Sequence, residues 1–211
     1  ATSFNDNRPA SFTSIGDVTM QLQRGGVYEP SALNLLPGLY DTYFRADSIP
    51  NRGALSPLVI QSQNGDSSTT GIGSDSYGFT IFRTNNVTIQ NLYFGQKTSY
   101  PNYNGMTLGW NSQNITVKNC RFKRLFNADP GSTYTDATNI FISASWLGQT
   151  GFTDSNYIIK NNFIEGGYRG ISTFAQTPNV LISKNTLLNQ GGFGIDLQVQ
   201  KSAVSDSNTI S

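Results

Sequence analysis

The chain has 211 residues, fourteen basic and thirteen acidic, with a formal net charge of +1 and no histidine. With 13% charged and 36% hydrophobic residues, its solubility rests on Asn, Ser, Thr, Gln and Gly, which describes a β-type surface and not a helical one. A single cysteine and no histidine exclude an intrachain disulfide framework and nearly every zinc, copper or haem site, so no cofactor is expected unless it is an oxygen-ligand cation such as calcium. The absence of a basic run excludes a nucleic-acid partner, and no stretch approaches the ~20 apolar residues that insert into a bilayer.

Residues 1–7 lack the charged and apolar regions of a leader, so a processed chain is expected. From Phe12 to Gln23 the pattern predicts a short amphipathic helix, with Ile15, Val18, Met20 and Leu22 partly on one face and a break at Arg24-Gly-Gly26. The next apolar run, Leu33 to Tyr40, predicts a first strand and turn. Residues 1–40 therefore form an N-terminal cap and first strand, and 58–211 the body of a single domain spanning 1–211.

One segment of that body recurs. Asn86-Val-Thr-Ile-Gln-Asn-Leu-Tyr-Phe94, Asn114-Ile-Thr-Val-Lys-Asn-Cys-Arg-Phe122, Asn156-Tyr-Ile-Ile-Lys-Asn-Asn-Phe-Ile164 and Asn179-Val-Leu-Ile-Ser-Lys-Asn-Thr-Leu187 share an Asn, alternating apolar residues, a second Asn and a closing apolar residue. A weaker copy ends at Ile210, and the closing residues are 28, 42, 23 and 23 positions apart, a unit of 23 with inserted loops. A second strand runs in phase with the first: Gly78-Phe-Thr-Ile81, Gly105-Met-Thr-Leu108, Asn139-Ile-Phe-Ile142, Gly170-Ile-Ser-Thr173 and Gly194-Ile-Asp-Leu197.

Each unit is too short to bury its own apolar face, so the units must stack. Stacking predicts internal ladders of Val87, Ile115, Tyr157 and Val180, and of Ile89, Val117, Ile159 and Ile182. It predicts corner columns of Asn91, Asn119 and Asn161, and of Asn162, Asn185 and Asn208, because Asn tolerates the left-handed backbone and its amide can bond the residue above. The fold class expected is all-β, a right-handed parallel β-helix solenoid with a short N-terminal capping helix and a long loop over 127–149.

The order Phe-Thr-Ser-Ile, Gly-Gly break and Leu-Pro-Gly-Leu-Tyr, followed by Leu58-Val-Ile-Gln-Ser-Gln-Asn-Gly65 and the repeats, resembles the pectin-lyase-like right-handed β-helix superfamily. It looks most like the β-helical regions of large secreted bacterial surface proteins. The resemblance implies an extracellular or cell-surface location and a scaffold shared by polysaccharide lyases, hydrolases, epimerases and non-catalytic adhesins, without choosing among them.

A hydrolase needs paired carboxylates, and the family's hydrolases present adjacent aspartates, a histidine and an Arg-x-Lys element. The chain has no Asp-Asp pair or histidine, and its Arg121-Phe-Lys123 lies within the repeat. A lyase needs metal-binding carboxylates and a basic residue, and the candidates are Asp196, Glu165 and Arg169, which could approach one another on a surface column; a plain surface ion pair is the favoured explanation of them. Trp110, Phe141, Trp146 and Phe174 are candidates for an aromatic face that stacks on sugar rings, or else pack under the loop Asn127–Gln149.

Asp66 and Asp75 are candidate calcium ligands without a regular loop spacing. Asn86-Val-Thr88 and Asn114-Ile-Thr116 match the glycosylation sequon at positions the repeat already explains. The expected function is a non-catalytic structural or adhesive β-helix with glycans as partners; the alternative is a lyase or other enzyme of acidic polysaccharides. The incomplete last repeat, stopping at Ile210-Ser211, predicts a continuing polypeptide or end-to-end self-association.

Overall fold

Ser14 starts the helix α1 (Ile15–Gly25). Its hydroxyl accepts the Asp17 N–H at 3.1 Å and donates to the Asp17 carboxylate at 2.8 Å, an N-cap that occupies an otherwise orphaned amide. Gly26, at φ 73°, ends the helix and returns its N–H to Leu22 O. Ile15, Val18 and Leu22 form the buried stripe. Met20, expected on the same stripe, is 47% exposed, because two residues past Val18 is about half a turn around the helix. The computed structural model describes residues 14–41, 44–50, 56–73, 78–95, 104–124, 137–143, 154–174, 177, 179–198 and 202–211.

Beyond the helix the chain winds through three parallel sheets. The first contains β1 (Ser31–Leu35), β4 (Leu58–Ser62), β7 (Val87–Gln90), β10 (Gln113–Lys118), β13 (Ser155–Lys160), β16 (Val180–Ser183) and β19 (Ala203–Asp206). The second contains β2 (Gly38–Tyr40), β5 (Thr70–Gly73), β8 (Tyr93–Gly95), β11 (Arg121–Arg124), β14 (Phe163–Gly166), β17 (Thr186–Leu188) and β20 (Thr209–Ile210). The third contains β3 (Phe44–Asp47), β6 (Phe79–Phe82), β9 (Met106–Gly109), β12 (Thr138–Ser143), β15 (Arg169–Phe174) and β18 (Phe193–Leu197). Every third strand returns to the same sheet one level on, so β1–β3 make coil one, β4–β6 coil two, and so on to β19 and β20 in coil seven. This is the parallel β-helix expected from the repeat, with α1 packed on β3 at its first coil.

Strand alternation and register fill the interior. Ile115 pairs with Val87 and with Tyr157, and Tyr157 with Val180; Val117 pairs with Ile89 and Ile159, and Ile159 with Ile182. Both ladders are buried, as expected. Aromatic rings stack between coils in the same way: Phe44 on Phe79 at 4.4 Å and Phe94 on Phe122 at 4.8 Å between centroids. Within the segment 127–149 the strand β12 occurs where the second strand series places Asn139-Ile-Phe-Ile142, and its Ile140 and Ile142 face the core, because a coil cannot omit its third strand without opening the interior.

Asparagines hold the corners. Asn91, Asn119 and Asn161 lie at φ 56°, 54° and 54°, the left-handed bend between first and second sheets. Beside them, Asn162, Asn185 and Asn208 form an internal ladder: each amide donates to a carbonyl of the preceding coil (Val117, Ile159 and Ile182), and each side-chain oxygen accepts the N–H of the preceding corner residue. A separate outer ladder precedes the first-sheet strands, where Asn114 donates to Asn86 at 2.8 Å, Asn156 to Asn114 at 2.9 Å and Asn179 to Asn156 at 3.0 Å. The two sequon asparagines are members of this ladder.

Where the 42-residue step rejoins the stack, Asp154 is buried and accepts from Asn111 N–H, Ser112 N–H and the Tyr157 hydroxyl. Burial raises its carboxyl above the ordinary range, and those hydrogen bonds only partly oppose it. Tyr157 thus stands in an otherwise aliphatic ladder with its polar tip satisfied.

Candidate functional site

The residue before each closing apolar residue points outward from the second sheet. Register places Leu39, Gly71, Tyr93, Arg121, Phe163, Thr186 and Thr209 in one column along the solenoid axis, with Gly73, Gly95, Lys123, Glu165 and Leu188 in the next. On this face lies a groove of about 260 Å³ lined by Ser67, Ser68, Tyr93, Arg121, Phe122, Lys123, Phe163 and Glu165.

Two glycines shape it. A Cβ on Gly95 would stand 2.6 Å from Tyr93 Cε1 and 2.9 Å from its Cζ and Oη, and one on Gly71 would stand 2.9 Å from Cδ1. The Tyr93 ring therefore lies down over bare backbone, with one face against the sheet. Beyond it, the Arg121 guanidinium sits 5.4 Å from the centroid of Phe163, and Lys123 Nζ lies 3.2 Å from Glu165 Oε1. In the turn before β5, the Asp66 carboxylate accepts the Ser68 N–H at 2.7 Å and its hydroxyl at 2.8 Å. These bonds, with the charge of Arg121, hold the Asp66 carboxyl below the usual carboxylate range.

The three candidate lyase residues do not form one site. Arg169 Nε lies 2.9 Å from Asp196 Oδ2, as the surface-column reading expects, but Glu165 belongs to the second sheet and pairs with Lys123. The corner Gly166-Gly167-Tyr168 turns the chain between them, with Gly166 and Gly167 both near φ 70°, at 71° and 74°. The Arg169 guanidinium is further enclosed by the rings of Tyr168 and Phe193, at 5.2 and 5.9 Å, and Gln198 donates to Asp196 Oδ2 at 2.7 Å.

Of the four aromatic candidates, Trp110, Phe141 and Phe174 lie on the outer side of the third sheet, and Trp146 lies outside the described residues. Trp110 stacks on Phe82 at 4.7 Å, and Phe141 stands in register between Thr107 and Ser172. Their outward neighbours Thr80, Ser143 and Ser172 are buried, while Trp110, Phe141 and Phe174 are themselves half-buried. Asp66 spends its carboxylate on Ser68, and Asp75 lies outside the described residues. Among the described residues no group of three or more His, Cys, Asp or Glu side chains could hold a metal ion, and no helix is long and apolar enough to cross a membrane.

Tyr93, Arg121 and Phe163 were not singled out by motif, since a groove assembled from three coils leaves no contiguous signature. The signal was the repeat alignment itself, in which each of the three immediately precedes its closing residue. Comparison of the chain with protein-family models, curated proteins and solved structures finds no match.

Proposed function

We propose that this protein is a non-catalytic, extracellular or cell-surface β-helix that holds a glycan chain along its second sheet. The observation that carries the reading is the Tyr93 ring lying flat over Gly71 and Gly95 in a groove flanked by Arg121, Lys123, Glu165, Ser67 and Ser68. A flat ring with polar groups at its edge matches a sugar, which has an apolar C–H face and a hydroxyl rim. The column runs along the axis, so a linear chain would lie across successive coils.

The non-catalytic part rests on the groove's composition. Glycoside hydrolysis ordinarily uses two carboxyl groups flanking the bond, and among the described residues Glu165 is the one carboxylate lining this groove, paired with Lys123. The test is to incubate the full chain with insoluble and soluble polysaccharides, measuring retention together with the appearance of reducing ends or unsaturated uronates. Retention lost in Tyr93→Ala, with no new ends, is the expected result; release of cleaved products would overturn the non-catalytic reading.

A further inference from the structure

We propose that Arg124, Asn104 and Thr107 form a binding site for a free, compact oxyanion of the phosphate or sulfate kind, at the corner where the second sheet gives way to the third. The site is separate from the glycan groove, because β11 alternates: Arg121 and Lys123 are exposed on its outer face, whereas Phe122 and Arg124 are buried.

Arg124 is 6% exposed. Among the described residues its buried Nε has no hydrogen-bond partner, and burial lowers the guanidinium pKa to about 10 with no carboxylate opposing the shift. The group therefore keeps its charge at neutral pH. A buried guanidinium without a counter-charge is costly for a fold to hold, and an anion that reaches it removes that cost.

Glycine makes the room. Arg124 Nη1 lies 3.6 Å from where a Cβ on Gly105, one coil earlier, would stand. Asn104 and Thr107 flank that glycine and are both half-buried, so solvent reaches the corner. Asn104 Nδ2 donates to Thr107 Oγ1 at 3.3 Å; the hydroxyl, having accepted, keeps its own hydrogen to donate, and the amide keeps a second N–H. Donors beside a planar guanidinium fork suit the oxygens of phosphate or sulfate. The slight exposure of Arg124 admits a single small group and not a polymer.

The experiment is calorimetric titration of the full chain with sulfate, with inorganic phosphate and with a monosaccharide sulfate ester, in chloride buffer of constant ionic strength, beside thermal unfolding in the same solutions. Saturable binding of a free ion is expected, with a Tm that rises to a plateau; the general stabilising effect of such salts has no plateau. Arg124→Met is expected to abolish the binding and to unfold no earlier than the native chain in chloride alone, since it removes an uncompensated buried charge. Thr107→Val is expected to weaken binding severalfold with β-sheet circular dichroism unchanged. No saturable binding, or equal binding in Arg124→Met, would overturn the proposal, and binding of the ester alone would overturn its assignment to a free ion. An equal loss of stability in chloride for Arg124→Met and for Asp136→Asn, a position outside the described residues, would also overturn it, by showing that a carboxylate of the chain itself serves Arg124.

Discussion

The inner corner between first and second sheets is filled differently in the two halves of the solenoid. Coils three and four place Leu92 and Cys120 there, whereas coils five to seven place Asn162, Asn185 and Asn208. The geometry is shared: the Cys120 thiol sits 3.8 Å from Ile89 O, the equivalent of the carbonyls that receive the asparagine amides. Burial pushes the thiol up to about 12, so it stays protonated and packs as a small apolar group. The lesson is that the corner tolerates either an apolar plug or a hydrogen-bonded asparagine, but once the ladder starts, each asparagine serves the backbone of its neighbour.

Breaking the ladder should therefore cost the most. Asn185→Ala removes the acceptor of the Asn162 N–H and the donor to Ile159 O, both at buried positions, and we expect about 3 kcal/mol of destabilisation by urea titration, since each buried unpaired group costs about 1–3 kcal/mol. An effect below about 1 kcal/mol would mean that the stack relaxes around the gap. The opposite change, Cys120→Asn, extends the ladder upward and should shift stability by no more than about 1 kcal/mol. The native thiol should also resist alkylation at pH 8 until the chain is unfolded, because only the thiolate reacts.

Two buried carboxylates sharpen the contrast between the halves through pH. In the early coils Asp47 is desolvated, but hydrogen bonds from Arg83, Arg45 and Ser48 outweigh burial and hold its carboxyl below its ordinary value of 3.8. The stabilisation from Asp47 is present above 3.8 and is lost as pH falls through the depressed value. Asp154 has the opposite sign, because its folded value lies above 3.8; stability declines as pH rises from 3.8 through the raised value. Stability curves from pH 2 to 8 should flatten on the acid side for Asp47→Asn and on the higher side for Asp154→Asn. The same response from both variants would refute the assignment.

The smallest expected effect is on the outer face of the first sheet, where Lys118 and Lys160 stand in direct register. Lys160→Glu replaces a like-charge pair by an opposite one and should stabilise the chain by roughly 0.5 kcal/mol, within the range of cross-strand pairs. The gain should vanish in 1 M salt, where screening is short-ranged.

The ladders were legible in the sequence because a two-residue alternation and a recurring bend leave only one register in which Val87, Ile115, Tyr157 and Val180 coincide. The capping helix was legible from Ile15, Val18 and Leu22, although Met20 shows that membership of a stripe depends on the angle around the helix. The site was less so. Glu165 and Arg169 are four residues apart across a turn that Gly166-Gly167 makes legible, yet the sequence does not show that this turn is a corner sending them to different sheets. Tyr93 becomes a platform through the absence of side chains at Gly71 and Gly95, whereas in the linear sequence glycines beside strands suggest turns.

The stacking also fixes how the protein would answer to force. A coil of 23 residues advances roughly 4.8 Å along the axis but, drawn taut, spans roughly 75 Å. The bonds joining coils lie along the axis, so tension between the two ends loads them one rung at a time and not all together. A chain built this way would lengthen stepwise under a pull, each coil released as a discrete slack of about fifteen times its resting height.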